Sequence, residues 1–393
     1  MEDAQKQYNY CLDFIKGLVC IFVVLFQCLK YKGTLKHKCW FFRNANNARK
    51  HGVIYFRIKR VATEFTDALR EKTEMSLEEK KWYCERGFHP HWKYRVGVTH
   101  ENYSQYISYF EFYNKKAYVN SPFQNMYDDK LMTYYVLSQW KQYIPTHYFY
   151  ISKGTLHPLD YPVKQNLSYQ NILDLLKDRP LAAKQCHGGH GDGFHKFAMD
   201  GGVLLVDDKP CDENDFRLLV KGMNDYIITD FIFPSKKLRG VIGDDSFAVM
   251  RVLVLYTPEE GASIDRMIIR LGTKTAGHTQ AGYDIIYANV ENSGALSNPV
   301  YEYSGWHCEP MTKHPETNKT IEGFVLDHID EMRKVLSDIS SHVSVTPYLV
   351  MDIIPTDDSF SILEINSHGQ LENFERFETL KGNKKLCQLL QLS

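Results

Sequence analysis

The sequence lacks several features that would place its 393 residues in a simple class. Its 47 basic and 48 acidic residues leave a net charge of -1, so the composition gives no sign of nucleic-acid binding. Its nine cysteines include no Cys-x-x-Cys pair, which argues against a disulfide framework and favours reduced thiols in a cytoplasmic protein. Internal repeats and low-complexity segments are also missing. The length allows two or three globular domains.

No apolar run is long enough to cross a membrane as a helix. The longest, residues 18–29, has twelve residues where about twenty are needed. It also lacks the basic start and the small-residue cleavage site of a secretory signal. A stretch rich in lysine and arginine follows it. Two interpretations stay open: a helix in the cytoplasmic membrane interface, with residues 11–29 touching lipid, or a helix buried in the core.

The sequence also lacks the motifs of nucleophilic catalysis and of the common nucleotide-binding loops. There is no Gly-x-Ser-x-Gly elbow. The glycine-rich loop at residues 185–194 is not followed by Gly-Lys-Ser/Thr, and no helix opens where a dinucleotide fingerprint needs one. The sequence therefore gives no sign of a reaction that uses a protein nucleophile.

A hairpin with oxygen ligands near the C-terminus is the most informative feature that is present. Residues 348–354 and 360–365 are rich in β-branched and aromatic side chains, and the residues between them are turn formers. Glu364 and Asn366 are two apart, so strand periodicity places both on one face. If the loop has an odd number of residues, for example 357–359, Asp352 pairs directly opposite Glu364 and joins that face.

These three side chains predict a metal site. Mg²⁺ prefers a few carboxylate or carbonyl oxygens and fills the rest of its octahedron with water and nucleotide phosphates. We therefore expect Asp352, Glu364 and Asn366 to be its ligands. The alternative is the solvated polar face of an ordinary hairpin, where acids are common.

A lysine at the end of a short predicted strand precedes the glycine-rich loop. Residues 181–184 predict the strand, which ends at Lys184, and Asn171 is expected to cap the helix before it. Glycine allows positive φ and lets backbone N–H groups approach closely, so such a loop can fold over a polyphosphate. A flexible hairpin loop is the alternative. The loop glycines are Gly188, Gly189, Gly191 and Gly193.

Two arginines and one aromatic segment also suggest binding. Arg251 is the single charge in the apolar strand predicted at residues 246–256, and Arg270 lies on the next predicted strand. A buried cation needs an anion, so Arg251 either contacts phosphate or acyl-phosphate or pairs with an acid in the core. Residues 82–113 are aromatic and basic. They suit either an acceptor surface for anionic sugars or ordinary packing.

The hairpin resembles that of the ATP-grasp superfamily, in which an Asp on one strand and a Glu-x-Asn on the next bind the magnesium ions of Mg-ATP. Asp352 and the triplet Glu-Ile-Asn at residues 364–366 stand in those positions. HPETNKTIEGF, at residues 314–324, is similar to the segment before the hairpin in the sugar-transfer-associated ATP-grasp proteins of bacterial polysaccharide gene clusters. The resemblance covers about residues 80–380.

The resemblance implies roles for individual residues. Lys130 matches a lysine that reaches the nucleotide phosphates, Lys184 one that contacts phosphate and purine, and Asp230 stands near the acid beside adenine. Arg251 and Arg270 are the implied catalytic cations, although the family typically has an asparagine with a Gly-Gly pair downstream where this chain has TAGHTQAGY. Three histidines depart from the family's small loop residues: His187, His190 and His195.

The implied fold is α+β, an ATP-grasp fold whose two α+β subdomains clamp ATP, with a mostly helical N-terminal extension. The expected divisions are an apolar helix (1–30), a basic and aromatic region (31–125), a first subdomain with the glycine loop (126–235) and a second subdomain with the metal hairpin (236–393).

The implied activity is that of an ATP- and Mg²⁺-dependent carboxylate–amine ligase of surface polysaccharide or capsule biosynthesis. It would act in the cytoplasm or at the inner face of the membrane and join an amino acid to a sugar or uronic acid through an acylphosphate. The alternatives are a phosphotransferase acting on a sugar-type hydroxyl and a non-catalytic, membrane-associated scaffold.

Overall fold

A computed structural model of the chain describes residues 25–26, 28–50, 55–188, 193–244, 246–273, 284–303 and 307–392. The chain divides into two compact units, one made of Met1–Ala117 with Glu378–Ser393 and the other of Tyr118–Phe377. Residues 378–393, which the sequence analysis assigns to the second ATP-grasp subdomain, thus group with the N-terminal region.

The first unit is helical, as expected for the N-terminal extension. Ser76 begins one of its helices, because the Ser76 hydroxyl accepts a hydrogen bond from Glu79 N at 3.2 Å. Buried side chains of Phe41, Phe65 and Phe110 belong to its core. Its helices are α1 (Leu35–Lys50), α2 (Tyr55–Arg70), α3 (Leu77–Glu85), α4 (Trp92–Arg95), a 3₁₀ turn (Tyr103–Gln105), α5 (Tyr109–Val119, which runs into the second unit) and, from the C-terminal residues, a helix at Lys384–Leu389.

The second unit opens with short helices and an antiparallel sheet of seven strands. Two short helices, α6 (Asn125–Asp128) and α7 (Lys130–Val136), are followed by a 3₁₀ segment (Ser138–Tyr143). The strands are β1 (His147–Ser152), β2 (Thr155–Pro158), β3 (Leu181–Gln185), β4 (His195–Asp200), β5 (Val203–Val206), β6 (Lys209–Pro210) and β7 (Tyr226–Asp230), in the order β2-β1-β7-β3-β4-β5-β6. The helices α8 (Tyr169–Leu176) and α9 (Glu213–Gly222) supply Ile172, Leu176 and Phe216 to the core on one face of this sheet.

Helix α8 begins three residues earlier than the sequence analysis predicts. Ser168, not Asn171, is its N-cap: the Ser168 hydroxyl accepts from Gln170 N at 3.3 Å. Asn171 Oδ1 accepts from Ser168 N at 2.9 Å. The pair is a reciprocal capping arrangement, so Asn171 serves the same helix terminus from inside the first turn.

A second antiparallel sheet of seven strands follows the linking helix α10 (Lys236–Ile242). Helix α11 (Ile329–His342) packs its apolar side on one face, with Leu336 and Ile339 fully buried. A short helix α12 (Glu372–Glu375) comes after the last strand. The helix at Lys384–Leu389, which belongs to the first unit, is α13. The strands are β8 (Ala248–Thr257), β9 (Gly261–Gly272), β10 (Ile285–Val290), β11 (Leu296–Tyr303), β12 (His307–Pro310), β13 (Tyr348–Pro355) and β14 (Phe360–Asn366), in the order β12-β11-β10-β9-β8-β13-β14.

Among the described residues, no helix combines the length and apolar character needed to cross a bilayer. Most of the apolar segment at residues 18–29 lies outside the described residues. Its described end exposes Leu25, Phe26 and Leu29.

Candidate active site

The C-terminal hairpin has the predicted register, reached by a different route. Its loop has four residues, 356–359, and is closed by a hydrogen bond from Thr356 N to Ser359 O at 3.0 Å. An even loop alone would place Asp352 out of register with Glu364. A bulge between the pairs Ile353–Ile362 and Asp352–Glu364 adds one residue, Leu363, to β14. Asp352 therefore lies directly opposite Glu364.

Two arginines hold the Asp352 carboxylate. Arg251 Nε donates to Oδ1 and Arg251 Nη2 donates to Oδ2, both at 2.8 Å, while Arg270 Nη2 donates to Oδ2 at 3.2 Å. Burial alone would raise the pKa of Asp352, but the positive charges of Arg251 and Arg270 lower it below its ordinary value. Asp352 is thus ionised, and Arg251 has the acidic partner that was one of its two expected roles.

Arg270 is less well satisfied than Arg251. Its side chain is 7% exposed, and its Nε is buried without a hydrogen-bond partner. Burial and the neighbouring charge of Arg251 lower the pKa of Arg270. The two guanidinium groups share one carboxylate, so the group formed by Arg251, Arg270 and Asp352 carries one positive charge in excess.

Glu364 and Asn366 present open polar groups on the same face of the hairpin. No hydrogen bond joins the half-buried Glu364 carboxylate to another described residue. Asn366 Nδ2 is buried and has no partner. A half-turn about the last side-chain bond exchanges the two ends of this amide, so the same position can present its carbonyl oxygen.

A cleft of about 390 Å³, partly open to solvent, lies between the first sheet, helix α7 and strand β14. The polar or charged lining side chains include Lys130, Lys184 and Glu364. The remaining lining residues are Thr133, Tyr134, Leu137, Ile144, Pro145, His147, Ile227, Thr229, Ile362 and Leu363.

Lys184 is the least compensated cation of the cleft. It forms no hydrogen bond or ion pair with another described residue. Burial and the nearby charge of Lys130 lower the pKa of Lys184 to about 8, against a smaller opposing effect of Glu364. The amine is therefore mostly protonated at pH 7 and available to an anion.

Lys130 ties helix α7 to the start of the glycine loop. Asp129 caps the helix, because its Oδ1 accepts from Leu131 N at 2.7 Å. Lys130 Nζ donates to Gly188 O at 2.7 Å, and Lys130 N donates to Cys186 O at 3.1 Å. The structure therefore brings Lys130, Lys184 and Gly188 together.

A model of sugar-transfer-associated ATP-grasp proteins matches residues 105–381. The chain belongs to this family. Its fold is therefore the ATP-grasp fold, as the resemblance implied, with the helical extension described above.

Solved ATP-grasp structures are distant in sequence. D-alanyl-alanine synthetase A from Vibrio cholerae is 10% identical, with 68% of this chain and 65% of that chain covered and a TM-score of 0.38. An N5-carboxyaminoimidazole ribonucleotide synthetase in complex with ADP is 10% identical, with 68% of this chain and 53% of that chain covered and a TM-score of 0.36. D-alanine–D-alanine ligase from Bacillus anthracis is 12% identical, with 62% of this chain and 56% of that chain covered and a TM-score of 0.30. The chain thus spans between about half and two thirds of these relatives. No curated protein matches it.

The glycine loop of this ATP-grasp chain is described only at its two ends. Gly189, His190 and Gly191 lie outside the described residues. At Gly193, φ is +68° and an added Cβ would lie 2.6 Å from Tyr226 Oη, so a side chain there would be strained and would require Tyr226 to shift.

The two described histidines near the loop bind acids. His187 Nδ1 lies 2.7 Å from Asp225 Oδ2, and His187 Nε2 lies 3.3 Å from Asp129 Oδ2. The hydrogen bond with Asp225 raises the pKa of His187. His195 Nδ1 lies 2.9 Å from Asp207 Oδ2. Both rings therefore fasten the ends of the loop to neighbouring segments.

The structure does not bring Asp230 to the cleft. Ile227 and Thr229 line the cleft, and Asp230 is one residue out of phase with them on β7. It pairs with Leu181, whose side chain belongs to the helix-covered core. Asp230 Oδ1 accepts from Tyr148 Oη at 2.8 Å. Its expected place beside adenine is thus not supported by the geometry.

Besides Lys130, Lys184 and Glu364, the cleft lining has four polar residues that were not predicted from the sequence: Thr133, Tyr134, His147 and Thr229. The two-residue period of β7 could have identified Thr229. Burial lowers the pKa of His147 to about 4, so this ring is neutral at pH 7 and its Nδ1–H donates to Pro145 O at 2.6 Å. No sequence signal marked His147 or Tyr134.

The residues at the hairpin fit a hard cation only in part. Within the described residues, no three His, Cys, Asp or Glu side chains group to hold a metal. Glu364 offers a carboxylate without a hydrogen-bond partner, and Asn366 offers a buried amide without a partner, both of them groups that Mg²⁺ accepts. Asp352, the third expected ligand, is already bound by two arginines.

The aromatic segment in the first unit is largely engaged in packing. The Trp82 ring stacks on His100 with centroids 3.9 Å apart, and the Arg86 guanidinium lies 4.2 Å from its centroid. Trp92 is buried. These contacts favour the packing interpretation of residues 82–113 over a surface for stacking sugars.

Proposed function

We propose that this chain is an ATP-dependent carboxylate–amine ligase that forms an amide through an acylphosphate. Its substrates would be an amino acid and a sugar or uronic acid, joined during surface polysaccharide assembly. The sugar class is supported by membership of the sugar-transfer-associated family. An acid and an amine meeting an activated phosphate need no protein nucleophile, in keeping with the sequence.

One observation carries the proposal: Lys130, Lys184 and Glu364 reach the same cleft from three different elements. Two cations and a carboxylate without a hydrogen-bond partner are a suitable set for a metal-bound polyphosphate. The apolar lining, with Leu137, Ile144 and Ile227, suits the flat face of a base.

The chemistry balances with ATP and two substrates. A substrate carboxylate oxygen attacks the γ-phosphorus, the bond from phosphorus to the bridging oxygen breaks, and ADP leaves. The amine then attacks the acyl carbon, the acyl carbon–oxygen bond breaks, phosphate leaves, and the amine loses a proton to solvent. Lys130, Lys184 and Arg251 would stabilise the charge on the transferred group.

Magnesium would be held by Glu364 and Asn366, and when bound it would supply neutralisation of the phosphate charge. The chain's own contribution is positional. The hairpin register fixes Glu364 opposite Asp352, and the strand fixes Asn366 two residues further on. Helix α7, capped by Asp129, fixes Lys130.

Contact with the inner face of a membrane is part of the same proposal. Leu25, Phe26 and Leu29 are exposed at the described end of the apolar segment, and Lys30 follows them. Apolar side chains next to cations suit an anionic lipid surface.

ADP and free phosphate release should be followed together, with Mg-ATP and pools of amino acids and uronic acids. We expect equal release of both that requires an acid and an amine together and is lost in Glu364→Gln. ADP with phosphorylated product but no free phosphate would identify a phosphotransferase. ATP binding without turnover would identify a scaffold.

A further inference from the structure

We infer that Asp352 positions Arg251 and Arg270 toward the phosphates of ATP and does not bind the metal, which Glu364 and Asn366 hold without it. The inference rests on the proposed function, since it concerns the same nucleotide. It replaces the expectation that Asp352 is the third metal ligand.

The hydrogen bonds of Asp352 leave little room for a metal. A carboxylate has about four acceptor positions. Oδ2 accepts from both Arg251 Nη2 and Arg270 Nη2, and Oδ1 accepts from Arg251 Nε. Three positions are therefore used by charged donors, and the side chain is only 7% exposed. Mg²⁺ needs a direct oxygen contact at about 2.0–2.1 Å in near-ideal geometry.

The local charge also opposes a metal at Asp352. Two guanidinium groups already face this one carboxylate, which leaves the cluster with one positive charge in excess. A divalent cation bound to the same oxygens would add to that excess in a buried setting, where Coulomb repulsion is strong. Glu364 is half-buried and has no guanidinium bound to it. It is therefore the carboxylate at which a cation meets the least repulsion.

The arginines keep donors that an anion could use. Nη1 of Arg251 makes no hydrogen bond within the described residues, and its side chain remains 15% exposed. Arg270 Nε is buried without a partner. The bidentate grip of Asp352 fixes the plane of the Arg251 guanidinium, as fork-like pairs do. Asp352 thus prepares donors for the terminal phosphate instead of sharing a cation.

Direct coordination can be tested in the unaltered protein. The full chain would be labelled with ¹³C at the carboxyl carbons of either glutamate or aspartate and loaded with Mn²⁺ and AMP-PNP. Electron–nuclear double resonance then reports carboxylates bound to the metal. We expect a ¹³C coupling with the glutamate label, lost in Glu364→Gln, and none with the aspartate label. A coupling from labelled aspartate that disappears in Asp352→Asn would overturn the inference and leave the proposed function intact.

Binding measurements separate a positioning role from a structural one. Titration of Mn²⁺ into the AMP-PNP complex should show at least a tenfold loss in Glu364→Gln and less than a threefold change in Asp352→Asn. Asp352→Asn should instead weaken AMP-PNP about tenfold while leaving ADP within twofold, because the arginines address the terminal phosphate. Equal losses for both nucleotides would contradict this role.

Glu302→Gln is the matched control. Glu302, on strand β11 of the same sheet, is a buried acid that pairs with the buried Arg376 after helix α12, and neither residue lines the cleft. We expect it to leave Mn²⁺ and both nucleotides unaffected. If the unaltered protein binds no Mn²⁺–AMP-PNP, the proposed function and this inference both fail, an outcome distinct from the loss of the inference alone.

Discussion

The two sheets of the second unit hold their charges in opposite ways. On the second sheet, Arg251 and Asp352 satisfy each other in a bidentate pair with both distances at 2.8 Å. On the first sheet, Lys184 forms no hydrogen bond or ion pair with another described residue, and burial with the charge of Lys130 lowers its pKa to about 8. The pair on the second sheet is complete without a ligand, whereas the first sheet holds a cation that lacks an anionic partner among the described residues.

This difference separates stability from binding. Breaking a buried pair leaves one charge uncompensated, so the pair on the second sheet is coupled to folding. Removing a half-buried cation that lacks a partner relieves a desolvation cost in the free protein and removes a contact only from the complex. The two sheets therefore contain, respectively, a charge that is available to the ligand and a pair of charges that supports the fold.

The largest expected effect on stability concerns the pair of Arg251 and Asp352 on the second sheet. Arg251→Leu should lower the free energy of unfolding by about 3 kcal/mol, because the buried Asp352 loses its bidentate partner while Arg270 remains. Urea unfolding of the purified chain measures it. Arg239→Leu is the control: Arg239 pairs with Asp244, which is 81% exposed, so its loss should cost less than about 1 kcal/mol. Equal losses of unfolding free energy in the two variants would show that the Arg251–Asp352 pair supports the fold no more than an exposed pair does.

A smaller effect of opposite sign is expected at Lys184. Lys184→Met should raise the free energy of unfolding at pH 7 by on the order of 1–2 kcal/mol, because a protonated amine no longer has to be buried. ATP affinity should fall at least tenfold in the same variant. Urea unfolding and nucleotide titration measure the two effects, and a loss of stability together with affinity would contradict the assignment.

The pH dependence gives this prediction a sign that can be checked. The folded pKa of Lys184, about 8, lies below its ordinary value of 10.5. Between these values the unfolded chain binds more protons than the folded one, so the stability of the unaltered protein rises with pH. The advantage of Lys184→Met should therefore shrink between about pH 8 and 10.5. Unfolding curves that stay parallel from pH 7 to 10 would show that Lys184 does not cause the difference.

The sequence predicts those features that depend on local periodicity. The two-residue period places Glu364 and Asn366 on one face. The register opposite Asp352 was predicted from an odd loop, whereas the loop has four residues and a bulge restores the register. The bulge at Leu363 was not predictable, because a bulge depends on how two paired strands twist. The predicted place of Asp230 beside adenine is not supported, because neighbouring residues of a strand lie on opposite faces of the sheet. Resemblance alone does not fix which of them faces the cleft. The contact of Lys130 with Gly188 joins residues far apart in sequence, which only the folded chain brings together.

The smallest expected effect on stability concerns the end of the glycine loop, where the chain rejoins the first sheet. Gly193→Ala should lower the free energy of unfolding by about 1–2 kcal/mol, since φ is +68° and the new Cβ would meet Tyr226 Oη at 2.6 Å. Gly201→Ala is the control, because its φ is +53° but nothing lies within 4 Å of an added Cβ, so only the backbone strain of about 1 kcal/mol applies. Thermal unfolding of both variants, repeated with Tyr226→Phe, isolates the contact. If Tyr226→Phe removes the difference, strand β7 itself sets the position at which the loop rejoins the first sheet; if the two glycines behave alike in both backgrounds, backbone strain alone accounts for Gly193.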